Sequence, residues 1–180
     1  YLARNNHWTP FGHVQITLHC KAPIYLARQL GKHQVGLVWN EVSRRYVSDT
    51  PEFETRTEYR ERPENVKQGS SDEVVPMPPM LKARWADVIF RASNLYEECV
   101  KAKDDGGYGM APEIARSILP QSMYTEWYWT GSLYAFFRVW KERSDHSAQL
   151  EAQEFALQLS RILAAVAPWS FTALKDASHV

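Results

Sequence analysis

The sequence predicts an α+β fold. Early in the chain, apolar and polar residues alternate with the period of a strand; later they recur at steps of three and four, the spacing of a helix. Size is a third observation. With 180 residues and 44% hydrophobic content, the chain can bury one sizeable core, so a single domain over residues 1–180 is expected.

The elements follow in order. "HVQITLHCKA" sets Val14, Ile16, Leu18 and Cys20 against polar neighbours, and predicts a half-buried strand that Pro23 ends. "IYLARQLGKH" predicts a short helix with Gly31 near its end. "RRYV" and "EFETRTEYRER" alternate apolar or aromatic residues with charge, and are expected as strands with one wet face. Residues 63–80 hold four prolines and no period, so a loop is expected there. The next stretch, from Leu81, spaces Leu81, Trp85, Val88 or Ile89, Ala92, Leu95 or Tyr96, and Cys99 as an amphipathic helix, with Asp105-Gly106-Gly107 as its stop. "APEIARSILP" carries Pro112 and Glu113 at a helix start and Pro120 beyond its end. "MYTEWYW" predicts a strand. "SLYAFFRVWKERS" predicts a helix with Leu133, Phe136, Phe137 and Trp140 on one side. "AQLEAQEFALQLSRILAAV" predicts a long helix that buries Leu150, Phe155, Leu159, Ile162, Leu163 and Val166 and ends at Pro168.

Charge narrows the function. Lys plus Arg and Asp plus Glu stand at 21 each, so the chain has no global field for gathering nucleic acid, and anion binding must come from local clusters. No apolar run approaches a membrane span, and no signal peptide is visible. Cys20 and Cys99 make no disulfide framework and are expected as small reduced core residues, consistent with the cytoplasm. No Cys/His spacing fits zinc, and there is no phosphate-loop or dinucleotide fingerprint.

Four clusters carry chemistry-bearing side chains. "HWTPFGH", residues 7–13, fits a turn leading into the first strand. Residues 28–46 gather Arg28, Lys32, Arg44 and Arg45 against Glu41 alone, and are either a solvated turn or a site that grips an anion. Arg116 lies among apolar residues on a short helix, on its wet face or aimed at a phosphate. "RVWKERSDHSAQLE" fits a junction between helices in which Ser144 or Asp145 caps the second.

Taken in order, these segments resemble the flavin-dependent thymidylate synthase family. "HWTPFGH", "KAPIYLARQ", "KHQVGLVWNEVSRRY", "ARSILPQSMYTEWYWT" and "ERSDHSAQLEAQEFA" fall in the family's order, from residue 7 to about 170. The resemblance implies an antiparallel twisted sheet flanked by helices. It also implies a homotetramer with FAD and dUMP in sites shared between subunits. NADPH would reduce the flavin, 5,10-methylenetetrahydrofolate would supply the carbon, and dTMP would result. No nucleic acid or membrane partner is implied. By the same resemblance Gln29, Lys32, Glu41, Ser43, Arg44, Arg45, Arg116 and Arg143 bind dUMP. Arg143 is the catalytic arginine, which contacts the uracil and favours ionisation at N3. His7, Thr9, Lys32, His33, Gln34, Glu41, Ser132 and Arg138 are the FAD contacts. No metal is implied. Family members carry residues ahead of the His-x-Thr-Pro-Phe element that are absent here, so the domain is expected to lack its beginning.

These roles agree with elementary chemistry. A guanidinium beside a uracil imide stabilises the developing anion, and arginines near a phosphate make charge-assisted bonds. Ser43 has no base paired with it and is expected to donate a hydrogen bond to substrate rather than attack it. The sequence departs from the family at Lys32-His33-Gln34, where the family has Arg-His-Arg, and one extra residue separates Gln34 from Ser43. Ser132, Tyr134 and Arg138 also replace the family's usual side chains.

Overall fold

A three-stranded antiparallel sheet organises the chain, in a computed structural model that describes residues 1–46, 49–64 and 70–178. Its strands are β1 (Gln15–Pro23), β2 (Leu37–Glu41) and β3 (Tyr124–Ser132), in the order β1-β3-β2. β1 pairs along all of β3, from Gln15 opposite Ser132 to Pro23 opposite Tyr124. β2 pairs with the far half, from Leu37 opposite Gly131 to Glu41 opposite Trp127. The helices are α1 (Thr9–Gly12), α2 (Ile24–Leu30), α3 (Pro79–Val100), α4 (Pro112–Ala115), α5 (Leu133–Arg143), α6 (Leu150–Val166) and α7 (Pro168–Ala177). Among the described residues no helix is long and apolar enough to cross a membrane.

Alternation gives the sheet two different faces. Ile16, Leu18, Cys20 and Ala22 of β1 and Trp127 and Trp129 of β3 point into one core with α2, α5, α6 and α7. Trp129 meets the Phe136 ring edge-on at 5.4 Å, and Trp140 meets Phe171 at 5.3 Å. Trp39 of β2 stacks on Trp127 at 4.2 Å. A side chain as fully buried as Leu163 stabilises the fold by about 2 kcal/mol. Burial also pushes the Cys20 thiol up to about 12, as expected of an inert core residue, whereas Cys99 is only half-buried.

Several expectations are corrected. "EFETRTEYRER" forms no strand: its ladder pairing is limited to isolated bridges, Phe53 to Met123 and Arg60 to Val74. Its alternation records side chains pinned singly, by partners such as Ser71 and Ser70, whose carbonyls accept from Arg60 at 2.7 and 3.0 Å. Of "RRYV", Arg44 to Tyr46 is a turn and Val47 lies outside the described residues. The second strand is instead β2, inside the stretch read as a charged cluster. The loop expected over 63–80 gives way to α3 at Pro79, and its residues 65–69 lie outside the described part. α3 ends at Val100, before the glycines. Gly106, at φ 81°, caps a following 3-10 turn over Lys103–Asp105.

Helix α3 exists as expected, but the chain leaves its apolar stripe largely uncovered. Tyr96 is its one buried residue, while Leu81, Trp85, Val88 and Leu95 are exposed. Ile162 and Val166 of α6 are exposed as well. Pro168 does end α6, but it also occupies the first turn of α7, where its missing N–H costs nothing. Neither Ser144 nor Asp145 caps α6, whose cap position is Gln149. Asp145 accepts from the Ser147 amide at 2.8 Å and its hydroxyl at 2.6 Å, shaping the turn before the helix.

Candidate functional site

A cleft of about 880 Å³ opens where α2, the end of α5 and the start of α6 meet the segment after β2. α2 begins directly after Pro23, and its pitch sets Tyr25 and Gln29 one turn apart on the same face. Both line the cleft, with Arg143 from the last turn of α5, Gln149 from the cap of α6 and Glu151 from its first turn. Glu54, Arg56, Tyr59 and Arg60 close it from the loop side, and Trp85 of α3 from the rim. Tyr59 and Trp85 meet edge-on at 5.6 Å. The Gln29 Oε1 atom is buried without a hydrogen-bond partner among the described residues. Trp127 Nε1 and Trp129 Nε1 are likewise buried and unpaired among the described residues, but of the three residues only Gln29 lines the cleft.

The cleft's floor is a charged network. The Tyr25 hydroxyl donates to both Glu54 oxygens at 2.9 and 3.1 Å. Arg56 donates to Glu54 at 3.1 Å and to Glu151 and the Tyr25 hydroxyl, and its guanidinium sits 5.4 Å from the Tyr25 ring centre. Burial, then the bond to Glu54, pushes the Tyr25 phenol up. Burial also works against the Glu151 carboxylate, but backbone and Arg56 hydrogen bonds outweigh it and hold Glu151 below the usual carboxylate range.

A smaller hollow of about 140 Å³ lies between the turn before β2 and α5. Lys32, His33, Gln34, Arg138 and Glu142 line it. His33 joins the two cavities, because its Nε2 accepts from Arg143 Nε at 2.9 Å. Burial, then the Arg143 charge, holds the His33 imidazole below its usual range; Arg138 adds to this and Glu142 opposes it.

The structure therefore brings some expected residues together and separates others. Gln29 and Arg143 share the large cleft, while Lys32, His33, Gln34 and Arg138 share the hollow. Glu41 accepts from the Thr125 hydroxyl at 2.7 Å and from Trp39 Nε1 at 3.3 Å. The Ser43 hydroxyl accepts from the Arg45 amide and Nε. Arg44 donates to the Asp49 carbonyl at 2.7 Å, and exposed Arg116 donates to the Glu113 carbonyl at 3.3 Å. None of these lines the chain's own large cleft. His7 and Thr9 are exposed at α1, which packs on the start of α5 through Trp8 and Tyr134, ring centres 5.9 Å apart. Ser132 caps α5, accepting from the Ala135 amide at 3.2 Å.

Sequence reasoning missed Tyr25, Glu54, Arg56 and Glu151 as cleft residues. Tyr25 carried a signal, lying four positions before Gln29 on a helix. Arg56 carried none, since its segment has no regular structure to fix its direction.

Comparison with known proteins adds four findings. The family model described as thymidylate synthase complementing protein matches residues 1–169. A protein of Thermosipho africanus (strain TCF52B), named flavin-dependent thymidylate synthase, is 35% identical over 96% of this chain and 73% of its own length. One of the same name from Thermosipho melanesiensis is 33% identical over 95% of this chain and 72% of its own. The crystal structure of a UMP/dUMP methylase, PolB from Streptomyces cacaoi, bound with 5-Br dUMP, superposes with TM-score 0.81 at 25% identity, covering 98% of this chain and 76% of that one.

Proposed function

We propose, for a chain that belongs to the thymidylate synthase complementing protein family, that it is a flavin-dependent thymidylate synthase making dTMP from dUMP. The observation that carries this reading is a cleft of nucleotide size in which Gln29, with its orphaned buried acceptor, and Arg143 converge. Gln29 and Arg143 bind the uracil. The Arg143 guanidinium stabilises negative charge on the imide and makes C5 the better nucleophile. 5,10-Methylenetetrahydrofolate supplies the carbon, NADPH the reducing equivalents, and the setting is the cytoplasm.

The residues present fit a flavin dinucleotide in parts. Lys32 and Arg138 supply cations for its phosphates, with His33 and Gln34 beside them, but the hollow they line is too small for the ring system. The aromatic walls of the large cleft, Tyr25, Tyr59 and Trp85, suit a flat ring. His7, Thr9, Glu41 and Ser132 complete the proposed FAD contacts. When bound, FAD supplies the reduction; the chain's residues hold and orient it.

Arg44, Arg45 and Arg116 stand outside the chain's own cleft, and Ser43 and Glu41 stand with them. This supports a homotetramer in which these dUMP-binding groups serve a neighbouring subunit's site. The uncovered apolar stripe of α3 supports the same assembly.

The test is direct. Purified protein should be yellow and should form dTMP from dUMP with NADPH and methylenetetrahydrofolate. Arg143→Ala should lower kcat roughly 100- to 1,000-fold, the usual loss on removing one transition-state donor. Colourless protein that takes up no FAD, or wild-type turnover in Arg143→Ala, would overturn the assignment. The Lys32-His33-Gln34 departure favours one second reading, a flavin- or nucleotide-binding homologue without catalysis, which predicts yellow protein and no dTMP.

A further inference from the structure

The bond between His33 and Arg143 fixes a protonation state. Arginine only donates, so the Nε2 atom that accepts from Arg143 Nε at 2.9 Å carries no proton. His33 is then the neutral tautomer with its proton on Nδ1, and Nδ1 lies 3.7 Å from Glu142 Oε2. The His33 side chain is 10% exposed. Arg138, Glu142 and Arg143 face it from α5, Lys32 adjoins it on its own turn, and β2 presents only the apolar Leu37. Three cations against one carboxylate oppose a second proton on the ring. The two terminal nitrogens of Arg143 make no hydrogen bond among the described residues. Anchoring through Nε therefore holds the flat fork by its inner edge and leaves its outer edge for the cleft.

We propose that neutral His33 is a positioning residue for Arg143, aiming the guanidinium at the pyrimidine edge of the substrate and releasing it when the imidazole takes up a proton. This rests on the reading above that Arg143 meets the uracil of dUMP. The sign follows from the environment. The folded state holds His33 neutral to a lower pH than a free imidazole. The bond is thus intact at neutral pH and above. It fails, with one proton taken up, as pH falls below the ordinary histidine value of about 6.5.

The test compares kcat/KM for dUMP against pH in wild type, His33→Gln and His33→Ala. Glutamine keeps an acceptor and cannot titrate. Wild type should show an acid limb of one proton. His33→Gln should lose that limb and fall less at pH 8 than His33→Ala, which should drop roughly 10- to 100-fold, the scale of a misaimed catalytic group. An unchanged acid limb in His33→Gln, or wild-type rates in His33→Ala, would overturn the proposal. A second readout needs no turnover. In ¹⁵N-histidine-labelled protein at pH 8, the resonance missing from His33→Gln should report an unprotonated Nε2, and its titration midpoint should rise in Arg143→Ala. A protonated Nε2, or a midpoint indifferent to Arg143, would overturn it. Wild-type protein that makes no dTMP but passes the NMR test would sink the synthase reading and leave the His33–Arg143 coupling standing.

Discussion

Arg56 is the residue on which the cleft's shape depends. Its three donor positions go to three separate partners: Glu54 on its own segment, Tyr25 on α2 and Glu151 on α6. The Glu151 side chain is only 13% exposed, so removing the arginine strands a carboxylate out of water. Arg56 itself is 30% exposed, which tempers the loss. Arg56→Met should destabilise the fold by about 1–3 kcal/mol in urea melts at pH 7. The penalty should depend on pH. Glu151 is held below the usual carboxylate range, so its contribution is full above the unfolded-state value and fades as pH falls through the folded-state one. The gap between wild type and Arg56→Met should therefore narrow in acid. A gap that stays constant down to about pH 3 would show that the carboxylate is not what the arginine serves. At this scale Gln29 and Arg143 were legible because motif residues flank them. Arg56 was not, because an unpatterned loop gives no sign of what its side chains will meet.

Among the elements, β1 and α5 were legible from period alone, since each buries one clean face. β2 was hidden. Its inward residues Leu37 and Trp39 alternate properly, but Val38 points outward at 69% exposure and Val35 and Val42 flank it, so the apolar pattern is blurred. What seats β2 is a glycine on the neighbouring strand. A Cβ at Gly131 would lie 2.5 Å from Leu37 Cδ2 and 2.6 Å from the Gly36 carbonyl oxygen. Gly36, at φ 76°, starts the strand in a conformation few other residues adopt. Gly131→Ala must push the start of β2 off β3, and with it the turn holding Lys32, His33 and Gln34. The expected cost is about 1–3 kcal/mol, typical of overpacking. FAD uptake should also weaken, more than in a core variant matched for melting temperature. Equal FAD affinity in the two would separate β2 seating from flavin binding.

At the scale of the whole molecule, the sequence foretold an amphipathic helix at α3 but not what would cover its apolar face. Periodicity shows which face is apolar and says nothing about whose atoms lie opposite. The same limit applies to Arg44, Arg45 and Arg116, whose roles by resemblance are legible but which do not line the chain's own large cleft. Leu81 and Val88 are 43% and 63% exposed, and glutamate at both should leave the monomer folded. If the α3 stripe is a subunit contact, the double variant Leu81→Glu, Val88→Glu should lower the sedimentation mass from a tetramer's and reduce dUMP affinity together. Unchanged mass would exclude this face from the assembly.

The strand order has a consequence for how the protein is made. Both early strands pair only with β3, and Thr17 and its partner Thr130 are 113 positions apart. β1 and β2 do not pair with each other among the described residues, and α3 and α4 separate β2 from β3, so a growing chain has no sheet to build until β3 leaves the ribosome. At ordinary synthesis rates that is a wait of roughly 5–20 s, during which β1 and β2 are unpaired, apolar on one side and open to any other extended chain. The outer face of β1, with Gln15, Thr17, His19 and Lys21, is polar along its length, the kind of face that guards an unpaired strand against aggregation.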